Sequence, residues 1–166
     1  MLPYDTLLIG FTDAVSRYET KAKDVDPVEV TIALFEALNW SIVLEDHVRE
    51  TWSPDGQPLD WDWRERFGHG AEIMGGVRFA RNRVHHQRVG ALRLDPAGFQ
   101  FPMTFPLVFR EWVWLDADQL PAGRPDPEGE RVYRTHLEHR AARASLDVIN
   151  GVFYTLGELL GSRADS

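Results

Sequence analysis

The chain has 166 residues, a formal net charge of −8, 43% hydrophobic residues and 27% charged residues, which are ordinary values for a soluble globular domain. The acidic balance argues against a protein coated in nucleic acid. The absence of cysteine excludes disulfides and thiolate metal sites. No uninterrupted apolar run approaches the ~18 residues that span a bilayer, so we expect one cytoplasmic domain over residues 1–166 without membrane contact.

Four segments space their apolar residues at the intervals of amphipathic α-helices, and they cover residues 4–23, 27–50, 71–89 and 127–160. The pair Asp26-Pro27 supplies an N-cap and an N1 proline for the second segment. Residues 91–121 instead hold a DPAG turn signal and many aromatic residues, which favours a small β-hairpin. The sequence therefore predicts a mainly α four-helix bundle with a β-hairpin insertion before the last helix.

The apolar faces of the last two predicted helices give a first list of core residues. In the third helix they are Ile73, Val77, Ala80 and Val84, and in the last helix Ala144, Val148, Val152, Leu156 and Leu159. The third helix also contains Gly75-Gly76, which costs about 1 kcal/mol per glycine relative to alanine. This pair predicts either a close helix–helix approach or a kink.

Positive charge is concentrated in the third predicted helix, in the stretch RFARNRVHHQR at residues 78–88. Between Glu72 and Asp95 there are five arginines and no acidic residue. On a helical wheel an unbroken polar arc lies opposite the apolar face, in the order Arg81, His85, Arg78, Asn82, His86. One small surface of this acidic chain is therefore expected to bind an anion.

The residue types in this polar arc are those that metal-free RNA cleavage requires. A guanidinium is a rigid fork of donors suited to phosphate oxygens, and an imidazole both accepts and donates protons near neutral pH. In that reaction a base takes the ribose 2′-OH proton, an acid protonates the leaving oxygen, and cations stabilise the phosphorane charge. The arc thus indicates phosphate binding combined with proton transfer.

The hexapeptide from Arg81 to His86, RNRVHH, resembles the R-x4-6-H motif of the HEPN superfamily. HEPN proteins are small all-α bundles, and many are metal-independent endoribonucleases of toxin–antitoxin or phage-defence systems. The resemblance implies Arg81 as a phosphate clamp, His86 as the general acid/base and Asn82 as an orienting group. His85, one residue nearer to Arg81, is the alternative catalytic histidine.

The resemblance also implies partners for the chain. HEPN proteins commonly form homodimers in which two motifs face each other across one cleft, which would supply a second imidazole. RNA is the implied ligand, with Arg78, Arg83 and Arg88 as substrate-binding residues. Neither a cofactor nor a metal is expected at this site, and an antitoxin or another partner protein is compatible with it.

Three other interpretations of the sequence stay open. The basic strip could be a solvated helix face that neutralises Glu45, Asp46 and Glu50 on the second helix. The chain could be a non-catalytic HEPN-like module that binds a protein partner, a nucleotide or RNA. A bundle metal protein is the third interpretation, and it predicts that three histidines converge in space, namely His47, His136 and His139.

Overall fold

The computed structural model of the chain describes residues 2–23, 26–51, 65–85, 90–95 and 111–164. Within these ranges the fold is mainly helical, with five longer helices: α1 (Tyr4–Lys21), α2 (Pro27–Thr51), α3 (His69–His85), α4 (Pro127–His136) and α5 (Ala142–Ala164). Two short antiparallel strands, β1 (Leu92–Asp95) and β2 (Glu111–Trp114), form the sheet between α3 and α4. The mainly α architecture with a small antiparallel sheet is as the sequence predicts.

The first three predicted helices are confirmed to within a few residues at each described boundary. Helix α3 begins two residues earlier than expected, and its predicted last turn, residues 86–89, lies outside the described residues. The four core residues expected on α3 are all buried. Their burial fixes which side of α3 faces the core and leaves the polar arc on the side away from these four residues.

The prediction of one long last helix over residues 127–160 is wrong, because a break separates α4 from α5. Strand β2 binds the backbone of the break: Trp114 N–H donates to Arg140 O at 3.0 Å and His139 N–H donates to Trp114 O at 3.1 Å. His139 adopts a positive φ of 61°, a left-handed conformation that ends a helix. Tertiary hydrogen bonding to the sheet therefore replaces the helical bonds of this segment.

The break also changes which residues of α5 enter the core. Ala144, expected to be buried, is exposed, whereas Leu146, Ile149 and Phe153 are fully buried. Trp114 Nε1 donates to Ser145 Oγ at 3.1 Å, which ties the first turn of α5 to β2. The rotation of α5 about its axis thus depends on β2 as well as on its own apolar pattern.

Helix α1 packs against α2 and α5 to form one side of the core. The Phe11 ring meets Phe153 edge-on with centroids 5.3 Å apart, and Tyr4 Oη donates to Phe153 O at 2.7 Å. Burial of such aromatic side chains dominates the energetics of a small core. These contacts fix α5 against α1.

Gly76 allows α3 to approach the end of α4 closely. A Cβ atom placed on Gly76 would lie 2.6 Å from Cδ1 of Leu137 and 3.4 Å from Cα of Tyr133, both in fully buried residues. Of the two expectations for the Gly75-Gly76 pair, the structure shows the close approach. This contact holds the N-terminal half of α3 against α4.

Helix α2 is long and apolar enough over Pro27–Glu50 to cross a membrane, with a mean hydropathy of 1.4. The sequence shows no uninterrupted apolar run there, because Glu36 and Asn39 interrupt the apolar residues of this helix. In the fold, 44% of the apolar window is buried by the rest of the chain. A core helix of a soluble protein has the same length and composition, so its place in the bundle explains the hydropathy of α2.

Candidate functional site

Arg78 is joined to two acids on α2. Its Nη2 donates to Glu45 Oε2 and to Asp46 Oδ1, each at 2.7 Å, and its Nε donates to Glu45 Oε2 at 3.1 Å. Burial by itself lowers the pKa of Arg78, but the charges and hydrogen bonds of Glu45 and Asp46 outweigh burial and raise this pKa. The charge of Arg78 is thus balanced by Glu45 and Asp46 of the same chain, as the interpretation of the basic strip as a solvated helix face expects.

Arg81 is held by neutral groups. Its Nε donates to Asn39 Oδ1 at 3.1 Å, and its Nη1 donates to Asn82 Oδ1 at 3.3 Å. The Asn39 amide is itself oriented, since its Nδ2 donates to Phe35 O at 2.9 Å. Among the residues that the structure describes, no carboxylate forms an ion pair with Arg81, so its guanidinium is oriented by amides alone.

Asn82 connects Arg81 to a groove on the other side of α3. We call this cavity of about 600 Å³ the Arg83 groove. Its described lining consists of Phe79, Asn82 and Arg83 of α3 and residues 122–126, which precede α4. The polar arc of α3 therefore borders α2 on one side. Beyond Asn82, on its other side, it borders a concave surface of the size that small ligands occupy.

Two guanidinium groups make the Arg83 groove positive. The Arg83 guanidinium carbon lies 4.8 Å from the centroid of the Phe79 ring, a cation–π contact, and Arg124 comes from the facing segment. The acid in the lining, Asp126, is used as the N-cap of α4, because its Oδ1 accepts from Gly129 N–H at 2.9 Å. Phe79 is only 2% exposed, so its ring supports the Arg83 guanidinium from the core side and the groove offers donors suited to an anion.

His85 lies at the end of the described part of α3, on the side of α2. Its ring is stacked on that of Phe35, with centroids 5.5 Å apart and planes inclined by 11°. The side chain is exposed. His85 therefore presents an oriented imidazole next to Arg81, whose partner Asn39 lies one turn after Phe35 on α2.

Two of the predicted site residues, His86 and Arg88, lie outside the described residues. The structure brings together Arg81, Asn82 and Arg83 along one turn of α3, adds His85 one turn after Arg81, and ties Arg78 to α2. Sequence reasoning missed Asn39 and Arg124. Neither belongs to a local motif, and only the packing of α2 and of the segment before α4 brings them to α3.

The prediction that His47, His136 and His139 converge in space is wrong. His47 packs near Tyr4 with ring centroids 6.1 Å apart, while His136 and His139 belong to two separate groups. His136 lies with His69 and Glu72, and His139 lies with Asp116 and Glu138. The spacing of His69 and Glu72 at i and i+3 in the sequence was the available signal for the first group.

No family model matches the chain, and comparisons with curated proteins and with solved structures found no match either.

Proposed function

We propose that the chain is a metal-independent endoribonuclease of HEPN type that acts as a cytoplasmic homodimer. The observation that supports this most is the environment of Arg81. Its guanidinium is fixed by Asn39 and Asn82 while no described carboxylate neutralises it. An oriented cation that keeps its charge is what stabilises the developing negative charge of a phosphorane.

In this proposal each side chain has one role. Arg81 binds a non-bridging phosphate oxygen, and Asn82 orients Arg81 at the edge of the Arg83 groove. An imidazole takes the proton of the 2′-OH, whose oxygen attacks phosphorus, and a second imidazole protonates the leaving 5′-oxygen. His86 is the first candidate for the acid/base and His85 the second. A dimer supplies the second imidazole if one chain contributes only one.

Two arginines of the groove extend the substrate site. Arg83 and Arg124 lie where a neighbouring phosphate of a single strand can be held, and the buried Phe79 ring supports the Arg83 guanidinium. Arg78 is left out of the substrate site in this proposal, because its guanidinium is held by Glu45 and Asp46.

A non-catalytic RNA-binding module is the second candidate, and one observation favours it. The described lining of the Arg83 groove contains two arginines and no histidine, which suits phosphate binding without proton transfer. In a binding module, Arg83→Ala and Arg124→Ala each lower the slope of log K against log salt by about 0.7 for single-stranded RNA. Arg131→Ala, which removes an exposed arginine paired with Glu128, is the matched control.

The experiment that tests the ribonuclease is incubation of the purified protein with end-labelled RNA in excess EDTA. The wild type should generate 2′,3′-cyclic phosphate ends, and Arg81→Ala and His86→Ala should lower kcat/KM by at least about 100-fold. His85→Ala identifies the second imidazole. Arg131→Ala should cut as the wild type does.

Circular dichroism and thermal unfolding establish that each variant is folded. Absence of cleavage by a folded wild type that binds RNA contradicts the ribonuclease and supports the binding module. Cleavage that persists in folded Arg81→Ala would show that another group binds the phosphate.

A further inference from the structure

The first turn of α3 and the last turn of α4 bring together three side chains that the proposed ribonuclease does not use. His69 and Glu72 are neighbours on α3, and His136 is the last residue of α4. His136 Nε2 lies 3.2 Å from Glu72 Oε2, and His69 Nδ1 lies 3.9 Å from the same oxygen. We propose that this triad, His69–Glu72–His136, binds a divalent transition-metal ion of the zinc class.

The distances fit a metal ion with little movement. One ligand atom from each of the three residues lies within 4.8 Å of the other two. In a tetrahedral zinc site, ligand bonds of about 2.0–2.2 Å place the ligand atoms about 3.4 Å apart. The contact between His136 and Glu72 already has this spacing, and a rotation of the exposed His69 side chain closes the remaining gap.

The donor set selects the kind of ion. Two imidazole nitrogens and one carboxylate oxygen suit Zn²⁺ and its first-row neighbours, and they leave a coordination position for water. The sites of Ca²⁺ and Mg²⁺ are built from oxygen ligands instead. The exposure of His69 and Glu72 gives an ion a path from solvent, while the half-buried His136 anchors it on α4.

The neighbouring charges leave the triad available. Arg131 interacts electrostatically with Glu72, but its hydrogen bonds go to Glu128, to which its Nη2 donates at 2.7 Å. The other group, Asp116–Glu138–His139, is a poorer metal site, because two arginines already occupy it. Arg93 Nη2 lies 3.0 Å from His139 Nδ1, and Arg134 Nη1 lies 3.5 Å from Glu138 Oε2.

The proposed ion would join α3 to α4 at a distance from the ribonuclease site. His69 and Arg81 are twelve residues apart on α3, which is about 18 Å along the helix axis. Metal at the triad is therefore compatible with cleavage that does not need metal. Its expected effect is to stabilise the contact between the two helices, because an ion that binds only the folded chain raises the stability of that state.

The test is a titration of the metal-free full chain with Zn²⁺ by calorimetry, with Co²⁺ absorbance as a second readout of the ligand geometry. The wild type should bind one ion per chain, and the unfolding temperature should rise with Zn²⁺. His136→Gln and Glu72→Gln should each weaken binding by at least about 100-fold, since losing even an outer partner of a ligand costs about 10- to 100-fold. His139→Gln, a histidine of the other group, is the matched control and should bind as the wild type does.

Three results would overturn the proposal: no binding by the folded wild type, binding that survives both substitutions, or equal loss in His139→Gln. Both ligand substitutions are at exposed or half-buried side chains, and the metal-free melting curve of each variant verifies that it is folded. The outcome is independent of RNA cleavage, which is assayed in excess EDTA.

Discussion

Arg81 Nε donates a hydrogen bond to Asn39 Oδ1 across 3.1 Å, which joins the motif helix α3 to the middle of α2. The acceptor is an amide, whose Nδ2 also donates to Phe35 O. A carboxylate at the same place would still accept from Arg81, but it would add a negative charge and lose the donor to Phe35. This pair therefore offers a direct way to test whether Arg81 acts on an anionic ligand.

Asn39→Asp should keep the orientation of Arg81 and reduce its availability to phosphate. An ion pair between Arg81 and the new carboxylate competes with phosphate by about 1.5 kcal/mol, so we expect RNA cleavage or binding to weaken about tenfold. Loss of the hydrogen bond from Asn39 Nδ2 to Phe35 O should cost about 1 kcal/mol of stability. Gln119→Glu adds the same charge at an exposed position of the 3-10 helix Ala117–Gln119 and is the control. Equal cleavage by Asn39→Asp and the wild type would remove Arg81 from the proposed site.

Arg78→Ala should lower stability and leave chemistry intact. The Glu45 side chain is 5% exposed and would keep Arg49 as its one cationic partner among the described residues, so urea unfolding should show a loss of about 1–3 kcal/mol. Arg17→Ala, which breaks an exposed pair with Glu36, should cost much less, because solvent screens an exposed ion pair. A large fall in cleavage by folded Arg78→Ala would restore Arg78 as a substrate ligand.

Gly76→Ala should destabilise the contact between α3 and α4. The new methyl group meets the fully buried Leu137 at 2.6 Å, and overpacking of this kind costs about 1–3 kcal/mol, which exceeds the gain in helix propensity of about 1 kcal/mol. Gly151→Ala on α5 is the control, because a Cβ there meets nothing within 4 Å. It should stabilise by up to about 1 kcal/mol, and a similar gain at Gly76 would contradict the close approach.

Stability should fall steeply in alkali because three tyrosines are buried. Burial raises the pKa of Tyr133, and the charges of Glu138 and Asp116 add to the effect; burial also raises the pKa values of Tyr4 and Tyr18. Above about pH 10 the unfolded chain loses these protons and the folded chain retains them. The folded state then binds more protons, so the free energy of unfolding decreases as pH rises.

Tyr133→Phe measures how much one of these hydroxyls contributes to the loss of stability in alkali. In urea unfolding between about pH 10 and 12, it should reduce the decline by about 1.4 kcal/mol per pH unit. At neutral pH it should cost about 1 kcal/mol, because the hydrogen bond from Tyr133 Oη to Leu115 O at 2.7 Å is lost. Tyr154→Phe, at an exposed ring, is the control. An unchanged alkaline slope in Tyr133→Phe would show that this hydroxyl ionises in the folded state.

Local periodicity was sufficient to predict α1, α2 and most of α3, because each buries one continuous apolar face. It failed at residues 137–141, which join two apolar helical segments and contain no proline or glycine that would signal a break. The competing interaction is made by Trp114, which lies far away in the sequence. No pattern within the segment could show that its backbone bonds to a strand.

The candidate site, too, could be predicted from the sequence only in part. The polar arc on α3 follows from helical spacing, so Arg81, Asn82 and His85 could be placed on one surface from the sequence. The partners of those residues could not be placed, because Asn39 and Arg124 reach α3 through tertiary packing. The sequence showed that Arg78 and Arg81 share a face, and only the structure shows that one meets acids and the other amides.

The hydrogen bonds between Trp114 and the 139–140 backbone have a consequence for the order of events during translation. Helix α3 leaves the ribosome well before residues 122–126, which close the Arg83 groove, and before the segment that secures β2. Contacts so distant in the sequence form late, because the chain must first be brought together at an entropic cost. The nascent chain therefore exposes the arginines of α3 first and completes the groove around Arg83 only when the last third of the polypeptide has emerged.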